Sequence, residues 1–285
     1  MRGRPNLQAV VAHLLQAGMA GAQEVILSGG SAGGTSAFLA LDQVAGLLAT
    51  GAPAARFVGA PDAGFFIDSA VYSNASQHFF RAEFQAADLF WNSTASGGLN
   101  AACLAAFRAE PWRCFFPENA APYIRTPWHA MMAEYDLASL SMIYGLPCLP
   151  PKCSPEQLTS LLAWRAQFLA QLQPAVAALP GNGAYTDACL VHEQNVDYCS
   201  GQSVPNCRGW NLYNVSADGF PRQLTPQQGF SLWHSSLMAN WEATVAARKA
   251  ALQHPARAAA QQAASKVAIY DTLEWPHNPS CPWGT

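Results

Sequence analysis

The reading of the fold turns on "EVILSGGSAGGTSAFLALDQV", residues 24–44. The run EVILS reads as a short buried strand, a knot of glycines surrounds one serine, and a helix-periodic segment follows from about Ala32 to Leu48. Gly29-x-Ser31-x-Gly33 is the pattern of a nucleophile elbow, in which a serine sits on a strained strand-to-helix turn. Small neighbours are needed there because the turn crowds backbone against backbone. The pattern alone also arises by chance, so the weight falls on its context and on the partners found elsewhere. The helix start helps, because its N–H groups and dipole favour a developing oxyanion.

Working outward, "QAVVAHLLQ" precedes the strand, with Leu7, Val10, Val11, Leu14 and Leu15 on one helical face until Gly18 and Gly21 break it. Downstream, "ARFVGAPDAGFF" reads as a second strand running into a loop. Residues 81–109 read as helix in two pieces split by "STASGG". "TPWHAMMAEYD" is a third strand ending near Asp136, and a helix spans about Glu156 to Leu179. "NGAYTDACLVHEQ" is a fourth strand that runs out at His192. "TPQQGFSLWHSSLMANWEATVAARKAAL" reads as one long helix with Pro226 in its first turn, and alanine-rich 245–265 as good helix former. Strands alternating with helices predict an α/β fold, a mostly parallel sheet flanked by helices. With no repeats and no clear linker, residues 1–285 read as a single domain.

Half of the 285 residues are hydrophobic and 12% are charged, which marks a globular chain. A net charge of −3 with scattered lysines and arginines gives no footprint for nucleic acid. No apolar run reaches the length of a membrane span. "MRGRPNLQAVVAHLLQAGMAGA" could be a poor signal peptide, but Gln8, His13 and Gln16 interrupt its apolar core and favour the helix.

The eight cysteines form no C-x-x-C pair, which argues against zinc ribbons and thioredoxin-like chemistry. Cys103/Cys114 and Cys148/Cys153, closely spaced in loop-like sequence, suit short disulfide-closed loops, while the overall connectivity stays open. Sequons at Asn74, Asn92 and Asn214 agree with an oxidising compartment. A secreted protein is expected, with a weak or missing export signal.

A serine hydroxyl needs a base to take its proton, and the base needs a carboxylate to hold its tautomer. In hydrolases with this elbow the chain order is serine, acid, histidine, with the partners at strand ends. Asp136 and His192 fit that order. The other histidines lie within helix or strand patterns (His13, His129, His234) or in loops and the tail (His78, His254, His277). Asp62, after the second strand, is the rival carboxylate; it reads equally as a turn residue in "PDAG" or as a group shaping the site beside the elbow.

Together, "LSGGSAGG", "DAGFFID", "CFFPENAAPYIRTP", "AEYD" and "ACLVHE", in this order, resemble the pectin acetylesterase family, which includes the animal Notum carboxylesterases. The resemblance implies an α/β-hydrolase-like fold and a serine esterase that uses no metal and no cofactor. It implies Ser31 as nucleophile, Asp136 as orienting acid and His192 as base, with the Ala32 N–H as one oxyanion donor. Phe65 and Phe66 become candidates for lining the site, with ordinary core aromatics as the alternative. The implied substrate is an acetylated polysaccharide such as homogalacturonan, acted on outside the cell by a monomer.

Two departures accompany the resemblance. The family carries a long N-terminal portion with "GGGW", which supplies further oxyanion donors and early strands. This chain begins about one helix and one strand before the elbow, so those strands are expected to be missing. The branch is mixed as well: Pro117 and the "PYI" of 122–124 look plant-like, whereas His192-Glu193 looks animal-like, and Leu137 replaces the tryptophan usual in plant members. A deacylase for longer acyl chains and a non-catalytic carbohydrate-binding protein are therefore the rival readings.

Overall fold

The computed structural model of the chain describes residues 3–194, 224–253 and 268–272. One sheet runs in the order β1 (Glu24–Gly30), β2 (Arg56–Asp62), β3 (His129–Ala133), β4 (Gly183–Asp187) and β5 (Ala268–Ile269). Every pairing is parallel, and β1 stays in register with β2 from Glu24↔Arg56 to Gly30↔Asp62. Parallel neighbours need crossover connections. Before the sheet lies α1 (Gly3–Gln16), and α2 (Ala32–Gly51) joins β1 to β2. Between β2 and β3 lie α3 (Phe79–Trp91), α4 (Ala101–Ala106) and α5 (Pro117–Ala120). The long α6 (Pro155–Ala177) leads to β4, and α7 (Pro226–Ala239) and α8 (Trp241–Gln253) lie between β4 and β5.

The strand period of two decides which helix covers which face. Phe57, Ala130, Met132 and Ala184 share a core with Phe38 and Leu41 of α2 and with Leu161, Trp164 and Phe168 of α6. The intervening Val58 packs on Trp233 and Leu237 of α7, and Met131 and Tyr185 cluster with Ile269 and Phe230. Withdrawing each large apolar side chain from water stabilises the fold by roughly 1.5–3 kcal/mol. The result is helix, sheet and helix in layers, with the carboxyl ends of the strands free to carry a site.

Local chemistry starts the two principal helices where the sequence places them. Ser154 and Thr225 each form a reciprocal capping box, with Gln157 and Gln228 respectively, and a proline takes the first helical position in both. The C-terminal helix, read from sequence as continuous, is two helices. Asn240 leaves helical geometry at φ −119°, and its side-chain amide donates back to the Ser236 carbonyl at 2.9 Å. Asparagine offers the backbone such alternatives, which is why it interrupts here. The two-residue β5 has no counterpart in the sequence reading.

In α1 only Leu7, Val11 and Leu15 turn toward the core, while Val10 and Leu14 stay exposed, so the buried stripe is narrower than the pattern suggested. Disulfides Cys103–Cys114 and Cys148–Cys153 close the two expected short loops, and Cys189 is disulfide-bonded too. Cys199, Cys207 and Cys281, the sequon at Asn214, His254, His277 and residues 254–265 of the alanine-rich stretch 245–265 lie outside the described residues. Among the described residues no helix is long and apolar enough to cross a membrane.

Candidate active site

The turn from β1 into α2 holds Ser31 at φ 56°, ψ −121°, a conformation that side-chain-bearing residues rarely adopt. Its N–H donates to the Asp62 carbonyl at 3.0 Å, and its own carbonyl accepts the Thr35 N–H at 3.1 Å. The flanking glycines are there for room. A Cβ on Gly29 would stand 2.5 Å from the Gly33 carbonyl oxygen, and one on Gly34 would overlap the Asp62 carbonyl oxygen. The hydroxyl makes no helix-cap bond and is left for another partner.

That partner is His192. Its Nε2 lies 2.7 Å from Ser31 Oγ, and its Nδ1 lies 2.5 Å from Asp136 Oδ2. A carboxylate can only accept, so Nδ1 carries the hydrogen and Nε2 accepts the serine O–H. Asp136 is almost fully buried, and its second oxygen accepts the Ser139 N–H at 2.7 Å. The Leu137 N–H donates to the Val191 carbonyl at 3.1 Å, so the loops carrying Asp136 and His192 are tied together beyond the ends of β3 and β4. Ser31, Asp136 and His192, far apart in sequence, thus form one hydrogen-bonded succession.

Burial pulls the His192 pKa down, but the Asp136 hydrogen bond and charge, with the charges of Glu193 and Asp62, outweigh it, and the net shift is upward from 6.5. Ala32 is the first residue of α2, where a backbone N–H has no carbonyl four residues earlier in the helix to bond. Phe66 stacks near the imidazole, with ring centroids 6.5 Å apart and planes at 24°. Phe65 instead packs edge-on against Phe38 and Phe168 in the core. From Phe66 a row of rings continues through Phe80 and Phe84 to Phe115.

The partner of His192 Nδ1 is Asp136 and not Asp62. The Asp62 carbonyl holds Ser31, while its carboxylate accepts the Gln194 N–H at 2.7 Å. Glu134, directly after β3, is fully buried; burial pushes it up to about 7 even though Arg165 and Thr186 bond its two oxygens. Gln194 acts through its backbone and leaves no signal in the motif pattern, whereas Glu134 stands within the "AEYD" block, where only its tertiary neighbours show what it does. Among the described residues no cluster of three or more His, Cys, Asp or Glu is arranged to hold a metal ion.

A family model described as pectinacetylesterase matches residues 1–219. Pectin acetylesterase 11 of Arabidopsis thaliana is 29% identical over 242 residues, covering 79% of this chain and 59% of that protein. Palmitoleoyl-protein carboxylesterase NOTUM of Homo sapiens is 26% identical over 292 residues, covering 97% of this chain and 49% of that protein. The chain therefore spans about half the length of the curated relatives it matches. Among solved structures, the Wnt deacylase Notum from Drosophila superposes with a TM-score of 0.68 at 19% identity, over 97% of this chain and 64% of that one. With an α/β-hydrolase-like fold and a family model matched over most of its length, the chain belongs to the pectinacetylesterase family.

Proposed function

We propose that this chain is the catalytic part of a serine carboxylic-ester hydrolase that removes acetyl groups from an acetylated polysaccharide of the pectin type. The observation that carries the reading is the succession Asp136–His192–Ser31, with the serine on a strained turn at a helix start. Ser31 Oγ attacks the acetyl carbonyl while its proton passes to His192 Nε2. Asp136 steadies the imidazolium, and the Ala32 N–H donates to the oxyanion. The imidazolium then protonates the departing sugar alkoxide. Water, deprotonated by the same nitrogen, attacks the acetyl-enzyme, and acetate leaves as Ser31 is restored.

Two closed disulfides support an extracellular setting. A second reading, hydrolysis of a longer acyl ester, is favoured by the row Phe66, Phe80, Phe84 and Phe115 running away from His192. A deep apolar groove gains about 0.8 kcal/mol per buried methylene. Rates on a series of esters from acetyl to long acyl decide between the two: a fall with chain length supports the acetylesterase, a rise the alternative.

A further inference from the structure

Glu193, directly after the base, occupies a position that the relay does not explain. It holds φ 64°, left-handed territory in which a glutamate is strained by about 1–2 kcal/mol. Its side chain lies flat against Gly30, the residue immediately before the nucleophile. A Cβ on Gly30 would meet Glu193 Oε1 at 2.5 Å and Cδ at 2.8 Å. The two loops that bring serine and histidine together therefore also clamp a half-buried carboxylate between them. The charged groups acting on His192 are Asp136, behind its Nδ1, together with Glu193 and Asp62, all of one sign. Asp136 is buried and Asp62 fully so, which leaves Glu193 as the carboxylate nearest the solvent side.

A fixed negative charge there has two consequences by Coulomb's law. It favours the positive charge that His192 acquires in turnover, and it opposes any substrate that brings a negative charge beside the scissile ester. We propose that Glu193 is an electrostatic specificity element of this site, which selects acetyl esters on uncharged or methyl-esterified sugars over those beside a free uronate. This rests on the esterase reading and names its substrate class more narrowly. The strained backbone is consistent with the role, since the left-handed turn is what aims the side chain back over Gly30.

The test compares wild type with Glu193→Gln, which keeps the side-chain shape against Gly30. Acetylated galacturonate oligosaccharides with free or with methyl-esterified carboxyls serve as paired substrates. Wild type should favour the methyl-esterified form by about 3- to 10-fold in kcat/KM, less at high salt, and the variant should lose that preference. Its melting temperature should be unchanged, and the His192 titration followed by NMR should move to lower pH. An unchanged substrate ratio together with an unmoved histidine titration overturns the proposal. The titration needs no turnover, so the two readings fail separately. No hydrolysis with a lowered titration refutes the esterase alone. Hydrolysis with neither change refutes the role of Glu193 alone.

Discussion

The backbone N–H of Gln194 donates to the Asp62 carboxylate at 2.7 Å, two residues after the histidine that faces Ser31. Through its carbonyl the same Asp62 accepts the Ser31 N–H at 3.0 Å. One buried residue at the end of β2 thus fixes both the Ser31 turn and the His192 loop, which come from β1 and β4. Their relative position is set by backbone groups and a buried carboxylate rather than by flexible side chains, the kind of rigidity a proton relay requires.

Gly34→Ala tests that junction. The added methyl would strike the Asp62 carbonyl and stand 3.0 Å from the Gly64 Cα, and neither backbone can give way cheaply. A loss of about 1–3 kcal/mol in chemical denaturation is expected. Hydrolysis should fall too, because the acceptor of the Ser31 N–H is displaced. A variant as stable and active as wild type would show that the close approach is not required.

Asp136→Asn addresses the base. His192 must be neutral to accept a proton, so kcat/KM should fall as pH drops through its folded-state pKa, which lies above 6.5. The substitution removes the hydrogen bond and charge that hold the value up and leaves the burial that lowers it. The acid limb of the profile should move to lower pH, while kcat drops by about 10⁴-fold through the wrong tautomer. The linked stability has a definite sign. A raised histidine pKa contributes stability fully present below pH 6.5, and it is lost as pH rises through the folded value.

His129 behaves in the opposite way. It is fully buried in β3 against Phe230 and Trp233, and burial lowers its pKa to about 3. Below pH 6.5 the unfolded chain takes a proton that the folded one refuses, so stability falls as pH falls toward 3. By the lower end of that window the loss is on the order of 4 kcal/mol. His129→Leu should flatten the acid side of the stability curve, measured as urea midpoints from pH 4 to 7. An equally steep decline in the variant would assign the acid sensitivity to other groups.

Arg248 of α8 is buried among the carbonyls of Ile124, Arg125, Thr126 and Pro180, to each of which its guanidinium donates. Burial lowers its pKa to about 9, against the opposing charge of Asp42. Asp42 itself accepts the N–H groups of Arg125 and Thr126, so α2 and α8 grip the same peptide from two sides. Arg248→Met would fill the space but leave those carbonyls without donors. A loss of about 3 kcal/mol or more is expected in thermal or urea unfolding, and a neutral result would mean that water replaces the guanidinium.

The parts of this structure legible in the sequence are those that local chemistry determines. The elbow showed itself because a strand, crowded glycines and a helix are contiguous, and α7 because a proline in its first turn announces its start. The break at Asn240 was hidden in a run of good helix formers, and β5, two residues long, is too short to show periodicity. In the sequence Asp62 reads only as a rival acid or a shaping group, since its bond to Gln194 depends on how β2 lies beside the His192 loop. The left-handed turn at Glu193 was equally out of reach, because nothing in the residue type demands it. Phe65 and Phe66 stand next to each other in sequence and are both buried in the main core, but Phe66 also stacks near His192.

The most direct test of the central claim is acetate release from acetylated pectin by this chain, with Ser31→Ala as its partner. Release by the wild type that is abolished in the variant, with both proteins equally folded by circular dichroism, is the expected result. Equal release by both, or none above the variant from a well-folded wild type, would contradict a nucleophilic role for Ser31 in this chain.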